Sequence, residues 1–190
     1  MRSKFFIFSI CLICISLACS KTDLQPKPKA QLALNYEKAN YKAVNLKNCP
    51  YQFEINGLAR LQKPKISQNC WNNIFYPKQK GTIFITYNKL QNNLNEYLID
   101  AQKLPLQHSI KADHIEASEY NNPAKNTYGV FYEVIGDAAS QAQFYLTDST
   151  EHFITGSIYF EATPNYDSIL PAAEYLKKDI RHIMESMTWK

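Results

Sequence analysis

Residues 127–162 read TYGVFYEVIGDAASQAQFYLTDSTEHFITGSIYFEA. Three runs stand out: Thr127–Ile135, Ala142–Thr147 and His152–Ala162. In each, β-branched and aromatic residues alternate with polar ones, the period-2 pattern of a strand with two unlike faces. Asp148-Ser149-Thr150 supplies turn chemistry between the second and third runs. Neighbouring strands joined by such short links pair antiparallel, because a parallel pair needs a long crossover. The segment therefore predicts an antiparallel meander. Phe144, Tyr145, Phe153, Tyr159 and Phe160 fall on alternating positions, which predicts one ring set in the core and another facing outward.

Towards the C-terminus the period changes. Ile169, Ala173, Leu176, Ile180, Ile183 and Met187 recur in steps of four and three, so a long helix is expected over 168–187 with that stripe on the core. Asp167 or Ser168 is the expected N-cap, and Pro171 is tolerated in the first turn. Towards the N-terminus, Ile115–Tyr120 reads as another strand. Leu94, Tyr97, Leu98, Ala101 and Leu104 mark a middle helix over 92–106, opened by a capping box at Asn93 and Glu96 and ended by Pro105. Trp71–Tyr76 and Thr82–Tyr87 read as strands, as does Tyr51–Ile55. Asn56-Gly57 is a hairpin signal that would return the chain along Leu58–Gln62. Leu32 and Leu34 suggest a short strand at the start of the domain. The fold class is α+β: an antiparallel sheet, a meander in its C-terminal half, packed by a middle helix and a long C-terminal helix. A sheet closed by a terminal helix resembles PsbP-like folds.

The N-terminus directs the chain out of the cytoplasm. Arg2 and Lys4 precede the apolar run Phe5–Ala18, which is shorter than the roughly 20 residues of a spanning helix. Ser16-Leu17-Ala18-Cys19 resembles a lipobox, with small Ala18 before the cysteine. Residues 1–18 are accordingly read as a lipoprotein signal peptide and Cys19 as the acylated first residue of the mature protein. Cys14 is a poorer candidate because bulky Ile13 precedes it. Residues 19–30, with Pro26, Pro28, Lys27 and Lys29, form a tether reaching roughly 30 Å, and 31–190 form one domain. Ser20, not Asp, follows the anchor, and Asp23 is the one acid close behind it. That pattern predicts an outer-membrane lipoprotein facing the periplasm.

Two cysteines remain in the mature domain, Cys49 and Cys70. A lone pair in an oxidising compartment reads as one disulfide, and the absence of C-x-x-C weakens a redox or metal reading. The net charge of +4 shrinks when Arg2 and Lys4 leave with the signal, so nothing points to nucleic acid. Several groups tempt an enzyme reading. Asp148, Ser149 and His152 hold the residue types of a hydrolase triad, but they crowd into five positions and no G-x-S-x-G is present. Asp113, His114 and Glu116 are possible metal ligands, as are His182 and Glu185, three apart on the last helix. Neither set has a partner motif. With 5 glycines and no phosphate-binding loop, a nucleotide cofactor is not indicated. The expectation is no catalytic residue, no metal and no cofactor.

Several stretches together resemble the GldD gliding-motility lipoproteins of the Bacteroidetes. They are Pro26–Lys29, Cys49–Asn56 (CPYQFEIN), Cys70–Lys78 (CWNNIFYPK), Lys111–Asp113, Tyr128–Val134 and Ala138–Thr150. Pro164–Pro171 (PNYDSILP) and the ending Met184–Lys190 (MESMTWK) complete them. The resemblance implies a non-enzymatic envelope lipoprotein required for gliding motility, with a role in the type IX secretion machinery. Its partners would be other gliding and secretion proteins, and the membrane through the lipid on Cys19. What carries over by residue is Cys19 and the Cys49–Cys70 pair. The alternative is a periplasmic ligand-binding or chaperone-like lipoprotein.

Overall fold

A computed structural model describes residues 36–64, 69–107, 111–161 and 165–190. The signal peptide, Cys19, the tether and the strand expected at Leu32 and Leu34 lie outside the described residues. Seven antiparallel strands make the main sheet. They are β4 (Arg60–Gln62), β5 (Asn72–Tyr76), β6 (Gly81–Lys89), β7 (Ala112–Asn122), β8 (Thr127–Gly136), β9 (Ala142–Thr147) and β10 (His152–Phe160). Their order across the sheet is β4-β5-β6-β10-β9-β8-β7. The meander read from residues 127–162 is the run β8-β9-β10 at its heart. The expected strand at 115–120 is longer at both ends and forms the sheet edge.

Helix α2 (Tyr166–Ser186) crosses one face. All six residues of its predicted stripe are buried. Leu176, Ile180, Ile183 and Met187 share one core with Ile74, Ile83 and Ile85 from β5 and β6, and with Phe131, Phe144, Leu146, Ile154 and Ile158 from the meander. Gly156 sits directly under the Phe144 ring, where a Cβ would fall 2.2 Å from the ring edge. The helix begins two residues earlier than expected, because Asn165 rather than Asp167 or Ser168 caps it, accepting from the Ser168 N–H. Helix α1 (Leu94–Gln107) covers part of the other face, with Leu90, Ala101, Tyr145 and Phe153 as its core. Pro105 does not end α1. It lies buried in the last turn, where the lost hydrogen bond is confined to a fraying end. Leu104, expected in the core, is exposed. The capping box is also not built: the Asn93 side chain accepts from the Gln91 N–H, and its carbonyl meets the Glu96 N–H.

Two ribbons fasten the chain ends. Strand β1 (Tyr41–Ala43) pairs with β3 (Glu54–Asn56), and β2 (Tyr51–Gln52) pairs with β11 (Thr188–Trp189). The hairpin expected at Asn56-Gly57 is therefore not formed: β3 joins β1, while β4 leaves for the edge of the main sheet. The Asn56 side chain decides this. Its Oδ1 accepts from the Leu58 N–H, and its Nδ2 donates across the fold to Tyr175 and Asp179 on α2. A disulfide joins Cys49 to Cys70 with Cα atoms 5.3 Å apart, tying the β2 ribbon to the start of β5. Next to it, Asn72 Nδ2 donates to the Tyr51 hydroxyl at 2.9 Å.

Candidate functional site

Coverage of the sheet is unequal. Helix α1 packs on β9 and the near end of β10 through Phe153, which stacks on Tyr97 and Tyr145. Both faces of β9 are consequently buried, so Tyr145 does not join an exposed stripe as expected. Farther along the same face, β4, β5, β6 and the distal end of β10 carry no helix among the described residues. Strand register sets the residues there. Gln62, Asn73 and Phe84 are cross-strand neighbours, as are Arg60, Phe75 and Thr82. From β10, Ser157 lies beside Phe84 and Tyr159 beside Thr82.

Phe84 is 37% exposed and Tyr159 39%, and their rings meet edge to face at 5.7 Å. The Thr86 and Thr155 hydroxyls hydrogen-bond to each other at 2.5 Å. Trp71 borders the patch, held by its Nε1 donating to the Tyr87 carbonyl at 3.0 Å. The patch includes a shallow depression of about 520 Å³ reached by Pro64, Trp71, Phe75, Phe84 and Glu161. Glu161 is its one acidic wall residue. Aromatic rings on a rigid sheet, rimmed by threonines and asparagine, make a contact surface of the kind proteins dock on.

Of the residues singled out for chemistry, Asp148, His152 and His182 make contacts that hold the fold. The Asp148 carboxylate accepts the backbone N–H groups of Thr150, Glu151 and His152 and the Thr150 hydroxyl. Burial would raise its pKa, but these donors outweigh that and hold it below the usual carboxylate value. His152 turns its Nδ1 to the Tyr87 hydroxyl at 3.0 Å and stacks on Trp189. Ser149 sits at a left-handed φ of 69°, with its N–H on the Thr147 hydroxyl. The three residues thus shape one turn instead of a triad. A polar depression of about 480 Å³ lies beside them, but its lysines are engaged elsewhere: Lys125 on the Glu185 carbonyl and Lys190 on the Leu46 carbonyl. Asp113, His114 and Glu116 lie along the edge strand β7, and His182 bonds to Glu54 at 2.8 Å while stacking on Tyr41. No group of three His, Cys, Asp or Glu side chains gathers in metal-binding geometry among the described residues.

Gliding motility lipoprotein GldD is the family whose pattern matches the chain, over residues 21–189. The chain belongs to the GldD family. As a GldD-family protein it is a lipid-anchored component of the cell envelope associated with gliding motility. The solution structure of cyanobacterial PsbP (CyanoP) from Synechocystis sp. PCC 6803 is similar to it at a TM-score of 0.51. That likeness covers 81% of this chain and 95% of that one at 7% sequence identity, so it establishes a shared PsbP-like fold and nothing about activity. No curated protein matches the chain. No described helix of the GldD-family chain is long and apolar enough to cross a membrane.

The open sheet face and the Asp179 network beneath α2 were both missed by sequence reasoning. A signal for the first exists in the contrast between Ile83 and Ile85 on one side of β6 and Thr82, Phe84 and Thr86 on the other. The second has none, because its members lie far apart in the chain.

Proposed function

We propose that this GldD-family lipoprotein is a non-catalytic assembly or stabilising component of the gliding and type IX secretion machinery. It is anchored by a lipid on Cys19 to the outer membrane and faces the periplasm, and it holds a partner protein on its open sheet face. One observation carries the reading: Phe75, Phe84, Tyr159 and Trp71 form an aromatic half-face on the main sheet that no other described element covers. A supporting one is that the side chains of Asp148, His152 and His182 each make structural contacts: Asp148 with backbone N–H groups of its own turn, His152 with Tyr87 and His182 with Glu54. The alternative, a periplasmic ligand-binding or chaperone-like lipoprotein, draws on the same depression, whose volume lies within the range of small-molecule sites. Its openness and its single acidic group favour a protein surface.

The experiment replaces Asp113, Ser149, His152 and His182 singly by Ala in cells and measures colony spreading and secretion. All four variants retain both activities, while deletion of the gene abolishes them. A single one of these variants, folded and abundant yet non-motile, refutes the non-catalytic reading.

A further inference from the structure

A second surface, separate from the open face, lies at the sheet edge. Strand β7 spans Ala112–Asn122, eleven residues or roughly 35 Å, and ends the strand order. Its one neighbour among the described residues is β8, in register from Ala112 opposite Gly136 to Asn122 opposite Thr127. Alternate backbone N–H and C=O groups along its outer side are therefore left for a further strand. The opposite edge, β4, is only three residues long. Natural sheets blunt long edges with proline, bulges, lysines or a covering element. β7 has one irregularity, at Asp113, and runs evenly from His114 to Asn122 with no proline and no lysine.

The charge on this edge is one-sided. Asp113, Glu116 and Glu119 are exposed, and β7 contains no Lys or Arg, although the chain as a whole is net positive. Even the strand behind adds an acid: Glu116 stands opposite Glu133, whose carboxylate is held by Arg181 at 3.0 Å. A second copy of β7 would set carboxylates beside carboxylates, which disfavours self-pairing. We propose that β7 accepts an added β-strand from a partner protein, an extended segment with two basic residues three positions apart. The spacing follows from the register. Glu116 and Glu119 are separated by an odd number, so they project from opposite faces, and their cross-strand neighbours on an added strand are also three apart. The main-chain ladder supplies the grip, and the two basic side chains select the segment.

The test places a photocrosslinking amino acid at exposed Ala117, between the two glutamates, in the full-length lipoprotein in living cells. Crosslinks map to an extended segment of another protein with basic residues three apart. The double variant Glu116→Lys with Glu119→Lys, melting at the wild-type temperature, lowers the yield about ten-fold or more, because two opposite-charge pairs become like-charge pairs. Leu106→Asp, at an exposed position on α1, leaves it unchanged. Crosslinks confined to a second copy or to this chain's own N-terminal segment overturn the proposal, as does a yield indifferent to charge reversal. Amide exchange gives a second reading. From His114 to Asn122 it is slower in native membranes than in the purified lipoprotein in detergent, and equal rates overturn the proposal.

Discussion

Removing the Asp179 carboxylate should loosen the attachment of the first ribbon to helix α2. Asp179 is 2% exposed and accepts from the Tyr41 hydroxyl at 2.6 Å and from Asn56 Nδ2 at 3.0 Å. Asn56 Nδ2 also reaches the Tyr175 hydroxyl at 2.8 Å. The fully buried Tyr76 hydroxyl lies near the same carboxylate without hydrogen-bond geometry; burial and then that negative charge push its ionisation far up. Burial, and then the bond to Asp179, push the Tyr41 hydroxyl up as well. In Asp179→Ala two donors lose their acceptor. An unsatisfied buried donor costs about 1–3 kcal/mol. Tyr41 is only half-buried and regains water, and Asn56 keeps Tyr175, so both fall in the lower half of that range. The expected loss is about 2–4 kcal/mol, read from urea unfolding at constant slope. Asp179→Asn keeps one acceptor but turns an amide towards Asn56 Nδ2, so it should lose about half as much. Amide exchange at Tyr41–Ala43 should accelerate in both. A loss below about 0.5 kcal/mol in Asp179→Ala, or unchanged exchange in β1, refutes this account of the network.

Cys49→Ser with Cys70→Ser should cost about 3 kcal/mol, since the bridge closes 21 residues of chain, measured as the difference in urea unfolding between wild type and variant. Stability should fall at both ends of the pH scale. Asp148 is depressed in the fold, so its contribution is present above the ordinary value of 3.8 and is lost as pH falls below it. Tyr51 is raised to about 12, chiefly by burial, so its contribution is present below the ordinary value of 10.0 and is lost as pH climbs from there towards 12. Thermal melting across pH checks both limbs, and a Asp148→Asn variant should flatten the acid one. Cys19→Ala should abolish incorporation of a palmitate analogue and leave the precursor uncleaved on gels.

What could be read from the sequence followed how local each determinant is. The meander was legible because Thr127–Ile135, Ala142–Thr147 and His152–Phe160 alternate and the links are short. The α2 stripe was legible because Ile169, Ala173, Leu176, Ile180 and Ile183 recur at helical spacing within one segment, and all are buried. Asn56-Gly57 misled because the Asn56 side chain is committed to Asp179, 123 residues away, and no neighbouring residue records that. The outward ring set was only half right. Tyr159 is exposed, but Tyr145 and Phe153 lie under α1, and the position of α1 on the sheet follows from topology rather than from either strand. The open face escaped for the same reason: Thr82, Phe84 and Thr86 would read identically beneath a helix. The triad residues Asp148, Ser149 and His152 were legible as a turn, and a turn is what they build.

On the proposed function, the open sheet face holds a partner in the gliding and secretion machinery. Replacing Phe84 and Tyr159 together by Asp puts two charges into that face without touching the core beneath α2. Exposed Leu106→Asp on α1 serves as the control. With melting temperature and membrane abundance matched to wild type, the measurement is colony spreading together with the secreted protein profile. The double variant is expected neither to spread nor to secrete, while Leu106→Asp does both. Normal spreading and secretion by the folded double variant would contradict it.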